Sequence, residues 1–113
     1  MKSSKTVGRL TLTLEEKQIG EDISLILTGG KAHIGAVSLA YFDSGTGRTT
    51  GSVISAPGHK EEEIALFGAK AICKKTKKTV LFAVGIHLDN ITLEEIQEIE
   101  KACYELIQNY VNQ

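Results

Sequence analysis

What this sequence does without narrows its biology at once. No stretch approaches the roughly 20 apolar residues of a membrane span, and Met1-Lys2-Ser3-Ser4-Lys5 leads into no apolar run that would make a signal peptide. The expectation is a soluble, cytoplasmic protein. Cysteine is scarce. Cys73 and Cys103 show no C-x-x-C spacing, so neither a disulfide framework nor a redox dithiol is expected, and both read as small buried hydrophobes inside helical patterns. There is no excess of base either: 13 Lys and Arg against 14 Asp and Glu leave a net charge of -1. That balance argues against nucleic acid as the main partner, because counterion-release binding needs a basic face. No G-x-G-x-x-G follows the first strand, which disfavours a dinucleotide-dependent dehydrogenase. Internal repeats, low-complexity tracts and linkers are absent as well. What is there is ordinary globular material, 113 residues at 42% hydrophobic and 24% charged. It reads as one α+β domain over residues 1–113 with a core of its own.

Alternation of Leu10, Leu12 and Leu14 with Arg9, Thr11 and Thr13 predicts a first strand with one dry face. Gly20-Glu21-Asp22 turns the chain into a second strand over residues 23–28. Gly29-Gly30-Lys31-Ala32 reads as a turn, and branched and aromatic residues predict a third strand over 34–42. Residues 43–51 form a polar loop with three glycines, and a short fourth strand over 52–56 is stopped by Pro57-Gly58.

A helix is expected over residues 60–75, with Glu61, Glu62 and Glu63 in its first turn and Lys74 and Lys75 in its last. Both charge runs match the helix macrodipole, which accounts for them without a ligand. Ile64, Phe67, Ala71 and Ile72 supply its apolar stripe. The run Val80-Leu81-Phe82-Ala83-Val84-Gly85-Ile86 is apolar on both faces and predicts a central strand covered on both sides. Thr92 and Glu95 then make a capping box, stapled by Ile91 and Ile96, at the start of a last helix. That helix presents Ile96, Ile99, Cys103, Leu106, Ile107 and Tyr110 on one side.

The predicted architecture is a mixed, mostly antiparallel five-stranded sheet in the order β-β-β-β-α-β-α. If the third and fourth strands form a hairpin, His33 and His59 fall at the same end of the sheet. A first helix of about 24 Å can carry the chain back along a last strand of about 26 Å. That strand would then run parallel to the fourth through an ordinary crossover and bring His87 to the same end. Glycines lie beside each histidine, Lys31 and Lys60 add charge, and two helix N-termini should open nearby, which suits an anion such as a phosphate. Each feature has a plainer reading too: a hairpin turn, a strand stop, or Asp89 and Asn90 capping a helix.

Three segments carry a resemblance: Gly29-Gly30-Lys31-Ala32-His33-Ile34-Gly35-Ala36, Pro57-Gly58-His59-Lys60-Glu61, and Gly85-Ile86-His87-Leu88-Asp89-Asn90 leading into Thr92-Leu93-Glu94-Glu95-Ile96. Together, across residues 23–110, they resemble the small D-subunit (LpdD-like) family associated with gallate-type, UbiD-class decarboxylases. The resemblance implies a fold like that of the proteasome assembly chaperones, which pair as dimers. It implies a non-catalytic chaperone that binds prenylated FMN, or FMN, and serves a UbiD-type decarboxylase. The cofactor-binding residues of the matching segments would be Gly29, Gly30, Lys31, His33, Gly58, His59, Lys60, His87 and Asp89. A homodimer follows as the expected assembly.

Two other readings stand beside it. His33, His59 and His87 with an open fourth position would make a hydrolytic zinc site, with Glu61 or Asp89 as general base. Alternatively the protein is a pure assembly module in which the histidines are incidental.

Overall fold

The structure is a computed structural model and describes residues 1–57 and 61–113. The elements run β1 (Lys2–Val7), β2 (Leu10–Ile19), β3 (Asp22–Gly30), β4 (Ala36–Asp43), β5 (Arg48–Ser55), α1 (Glu62–Thr76), β6 (Val80–His87) and α2 (Leu93–Val111). Six strands form one mixed sheet in the order β1-β2-β3-β6-β4-β5. The sheet thus has one strand more than the five expected. The extra strand is β1, whose Lys, Ser and Thr residues carry almost no apolar alternation. It exists because it pairs antiparallel with β2, Lys2 against Glu15 through Val7 against Leu10.

The last strand also sits differently from expectation. β6 lies between β3, to which it is parallel, and β4, to which it is antiparallel. β5 pairs with β4 on the other side, so β5 and β6 run in the same direction with β4 between them. Two further boundaries move because strand pairing extends into glycines. Gly29 and Gly30 are not a turn but the last residues of β3, opposite Ile86 and His87. The 43–51 loop shrinks, because residues 48–51 pair with 40–43.

The buried strand positions fall on one face in register. Leu12, Leu14, Leu25, Leu27, Val80, Phe82 and Val84 are fully buried there. Both helices, which touch one another, cover this face, with α1 against β4, β5 and β6. Small residues let α1 approach: Ala36, Ser38 and Ala40 on β4 and Ala65, Gly68 and Ala69 on the helix are all buried, and Gly68 lies against the Phe82 ring of β6. Its buried side is therefore Ile64, Ala65, Gly68, Ala69, Ile72 and Cys73. Phe67, predicted for the stripe, is exposed instead and packs edge-on against Tyr104 at 5.0 Å between ring centres. On α2 the expected stripe holds at Ile99, Cys103, Leu106 and Ile107, joined by Ala102, while Ile96 and Tyr110 are half-buried.

β6 is covered on one face only. On the other, Leu81 and Ala83 are half-exposed and stand in register with Val37 and Leu39 of β4. Ile26 and Ile54 continue the row containing Ala83 and Val37 on either side, so an apolar band crosses four strands.

The candidate ligand site at the end of β3 and β6

The C-terminal end of β3 meets the C-terminal end of β6, Gly30 opposite His87. From there residues 31–35 fold back over β6. The Lys31 N–H donates to the His87 carbonyl at 2.9 Å, and the Gly35 N–H to the Val84 carbonyl at 2.9 Å. Two glycines make this path possible. A Cβ on Gly85 would overlap the His33 carbonyl oxygen, and one on Gly30, at φ +63, would overlap that of His87. The loop thus lies directly on the strand, and His33 is brought to His87. Their rings stand 6.4 Å apart at 82°, edge to face.

Lys31, Ala32, His33 and His87 line a cavity of about 300 Å³. His33 Nδ1 is 3.2 Å from the Lys31 carbonyl oxygen. Its Nε2 stands 3.6 Å from the Glu61 carboxylate, close enough for charge attraction but longer than a hydrogen bond. Glu61 is the residue whose part in this site sequence reasoning underrated. Its side chain is only 12% exposed, and the Ile86 N–H donates to it at 3.4 Å. The carboxylate also lies over Gly35, where a Cβ would come within 2.7 Å. His87 Nε2 pairs with Asp89 at 2.9 Å.

Behind the site a brace ties the β6–α2 connection to the β1–β2 turn. Arg9 Nε donates to Glu95 at 2.6 Å, and an Arg9 terminal N–H donates to the Asp89 carbonyl at 2.8 Å. The Arg9 hydrogen bond, helped by the Thr92 backbone N–H, holds the Glu95 carboxyl down at about 2. No local pattern announces a contact between residues 9 and 95.

The nine sequence-selected residues separate accordingly. Lys31, His33 and His87 line the cavity, Asp89 holds His87, and Gly30 lies under the loop. Gly29 faces the core instead, with Leu10 and Leu12 at 2.7 and 2.8 Å from where its Cβ would be. Gly58, His59 and Lys60 lie outside the described residues, so the proposed convergence of three histidines is seen for two. Among the described residues no cluster of three or more His, Cys, Asp or Glu is arranged to hold a metal.

Both helices do begin at this end, but their N-termini differ from the open anion sites expected. In α2 the Thr92 hydroxyl accepts from the Glu95 N–H at 3.1 Å, and Glu95 accepts from the Thr92 N–H at 3.0 Å. The capping box thus uses donors an anion would need. Glu61 stands at the N-cap of α1 and Glu62 and Glu63 in its first turn, so negative charge already occupies that pole.

A mixed sheet with both helices on one face defines an α+β architecture. It is similar to a chain in the crystal structure of a chaperone complex for yeast 20S proteasome assembly. That likeness covers 98% of this chain and 97% of that one at a TM-score of 0.53, with 13% identity. The resemblance is one of fold. No curated protein matches the sequence closely enough to count as a relative. The family profile described as the prenylated flavin chaperone LpdD-like domain matches residues 6–113. The chain belongs to that family.

Proposed function

We propose that this protein is a non-catalytic chaperone that holds prenylated FMN, or FMN, at the end of β3 and β6 and supplies it to a UbiD-type decarboxylase. The observation that carries the reading is the 300 Å³ cavity between Lys31, His33 and His87, in a chain of the prenylated flavin chaperone family. The donor set fits the cofactor's phosphate. Lys31 brings a cation, and His87, held through Nε2 by Asp89, brings its second ring nitrogen, while the ring nitrogens of His33 face the Lys31 carbonyl and Glu61. The segment Gly58-His59-Lys60, which joins β5 to α1, would add its donors to the same ligand.

The size of the cavity suits one end of a flavin mononucleotide, so the remainder extends beyond it. The chemistry that a prenylated flavin supplies, decarboxylation, belongs to the partner enzyme. This chain's residues bind, orient and release.

The test is an anaerobic titration of FMN and prenylated FMN into the protein, followed by flavin fluorescence. Saturable binding of at least one of them, one per chain, is expected. Absence of binding by both would overturn the reading. Transfer to a UbiD-type apo-decarboxylase, read as recovered decarboxylation, tests the partner.

A further inference from the structure

The two edges of the sheet are not alike. β1 carries Lys2 and Lys5 along its six residues, and Lys5 is tied to Glu105 of α2. Charge along an edge strand discourages a further strand. β5 lacks that protection. It pairs with β4 through eight successive residues without a bulge, and on its other side alternate N–H and C=O groups meet no strand. After Arg48 it contains no charged residue and no proline. An edge so long, regular and uncharged is a ready template for another chain.

Beside this edge, on the helix side of the sheet, lies a groove of about 470 Å³, larger than the histidine cavity. Thr49 of β5 lines it together with Glu63, Leu66, Phe67, Lys70 and Lys74 of α1. The helix runs antiparallel to the strand here. Ser55 Oγ donates to Glu62 at 2.7 Å, and a Cβ on Gly51 would come within 2.9 Å of Lys70 and 3.0 Å of Leu66. Phe67 is 41% exposed at the groove although its ring already packs on Tyr104. Lys70 and Lys74 are exposed and pair with no carboxylate among the described residues. The groove therefore sets an apolar wall and two cations beside a row of backbone groups.

We propose that this edge and groove receive an extended segment of a partner protein as a seventh strand, with apolar and acidic residues on its helix side. Backbone pairing with β5 supplies affinity, and alternate side chains fall on the groove and supply specificity. An apolar residue there covers Leu66 and Phe67, and an acidic one meets Lys70 and Lys74. A second copy of this chain fits less well. Paired antiparallel along the whole of β5, it sets Gly51 against Ser52 at the two-fold axis. Lys70, which lies over Gly51, then faces its own copy, and like charges so placed repel. Nothing in this docking depends on a flavin.

Backbone amide NMR of the full chain tests this with two capped eight-residue peptides. In one, leucine, glutamate, leucine and glutamate alternate with threonine; in the other, lysine replaces glutamate. The glutamate peptide should shift the amides of residues 49–55 and slow hydrogen exchange at alternate ones, with a dissociation constant of about 1 mM or less. The lysine peptide should do neither. Lys70→Glu, a change at the surface, should weaken the glutamate peptide about fivefold or more and let the lysine peptide bind. Lys101→Glu, on the exposed side of α2, should leave binding of the glutamate peptide unchanged. Amides of residues 49–55 that stay unmoved at about 1 mM of the glutamate peptide would overturn the proposal, and so would equal binding of both peptides. If those amides are already protected without peptide and lose protection on dilution, a second copy holds the edge and the proposal falls.

Discussion

His33 and His87 enter the cavity with their orientations already determined, which sets what each substitution can do. If the cavity holds the flavin phosphate as proposed, His87→Ala removes one donor to it, and about 1.5–3 kcal/mol of binding should go with it. Affinity for flavin would then fall roughly tenfold to hundredfold. Lys101→Ala, on the exposed side of α2, should leave affinity unchanged in the same titration. Gly85 acts through the backbone. A side chain there would collide with the His33 carbonyl, so Gly85→Ala should displace the 31–35 loop. We expect a loss of about 2–4 kcal/mol in urea unfolding, together with loss of flavin binding. The cysteines make a contrasting case. Cys103 is fully buried and its thiol is pushed up to about 12 by burial, with Glu100 and Glu61 adding to the effect. Too little thiolate forms at neutral pH for reaction. In the native protein it should therefore resist a disulfide reagent such as Ellman's for as long as the chain stays folded, and react once urea unfolds it.

Among the elements, the junction between β6 and α2 is held by charge. Arg9 in the β1–β2 turn grips Glu95 in the first turn of α2, and Glu95 in turn closes the capping box. The Glu95 carboxyl is lowered from 4.5 to about 2. A depressed acid stabilises the fold above its ordinary value. Its contribution is complete above pH 4.5 and is lost as pH falls toward about 2. Arg9→Ala should therefore flatten the acid limb of a plot of urea midpoint against pH between about 5 and about 2. An unchanged limb would show that the brace carries no stability. The other end of α2 is tied down too: Tyr110 donates to Glu16 on β2, and Lys5 on β1 pairs with Glu105. The helix thus holds β1, a strand that has little apolar surface of its own.

For the whole molecule, the open face of the sheet is the feature that calls for a partner. Six strands spaced about 4.8 Å apart, each about eight residues long, make a face of roughly 750 Å². A typical stable interface takes roughly 800 Å² from each side. The apolar band through Ile26, Ala83, Val37 and Ile54 crosses its middle. We propose a symmetric homodimer joined by this face, since a two-fold axis through the band sets apolar rows against each other. Light scattering at micromolar concentration should return twice the 12.2 kDa chain mass. Ile54→Lys, at a side chain 80% exposed in the single chain, should shift the mass toward the monomer without lowering helix content. A monomer mass for wild type would refute the dimer.

The sequence by itself determined whatever depends on neighbours along the chain. The capping box at Thr92 and Glu95, the leucine alternation of β2 and the buried side of α2 were legible because caps and periodicities are local. It also placed His33 and His87 at strand ends, and direction alone then sufficed to put them at one end of the sheet. The tertiary structure decided the rest. Only pairing with β2 makes a strand of the polar residues 2–7. Pairing with β6, and of Gly29 with Leu12 on β2, turns Gly29-Gly30 from a turn into a strand end. Only the packing of both helices on one face leaves Leu81 and Ala83 half-exposed in a run that reads as buried on both sides. Glu61 shows the division most plainly. As a residue at a helix start, its charge needs no explanation beyond the macrodipole. Beside His33, over Gly35 and under the Ile86 N–H, it becomes part of the frame that holds the 31–35 loop on β6. Contacts between residues far apart in the chain create that role, and no local pattern encodes them.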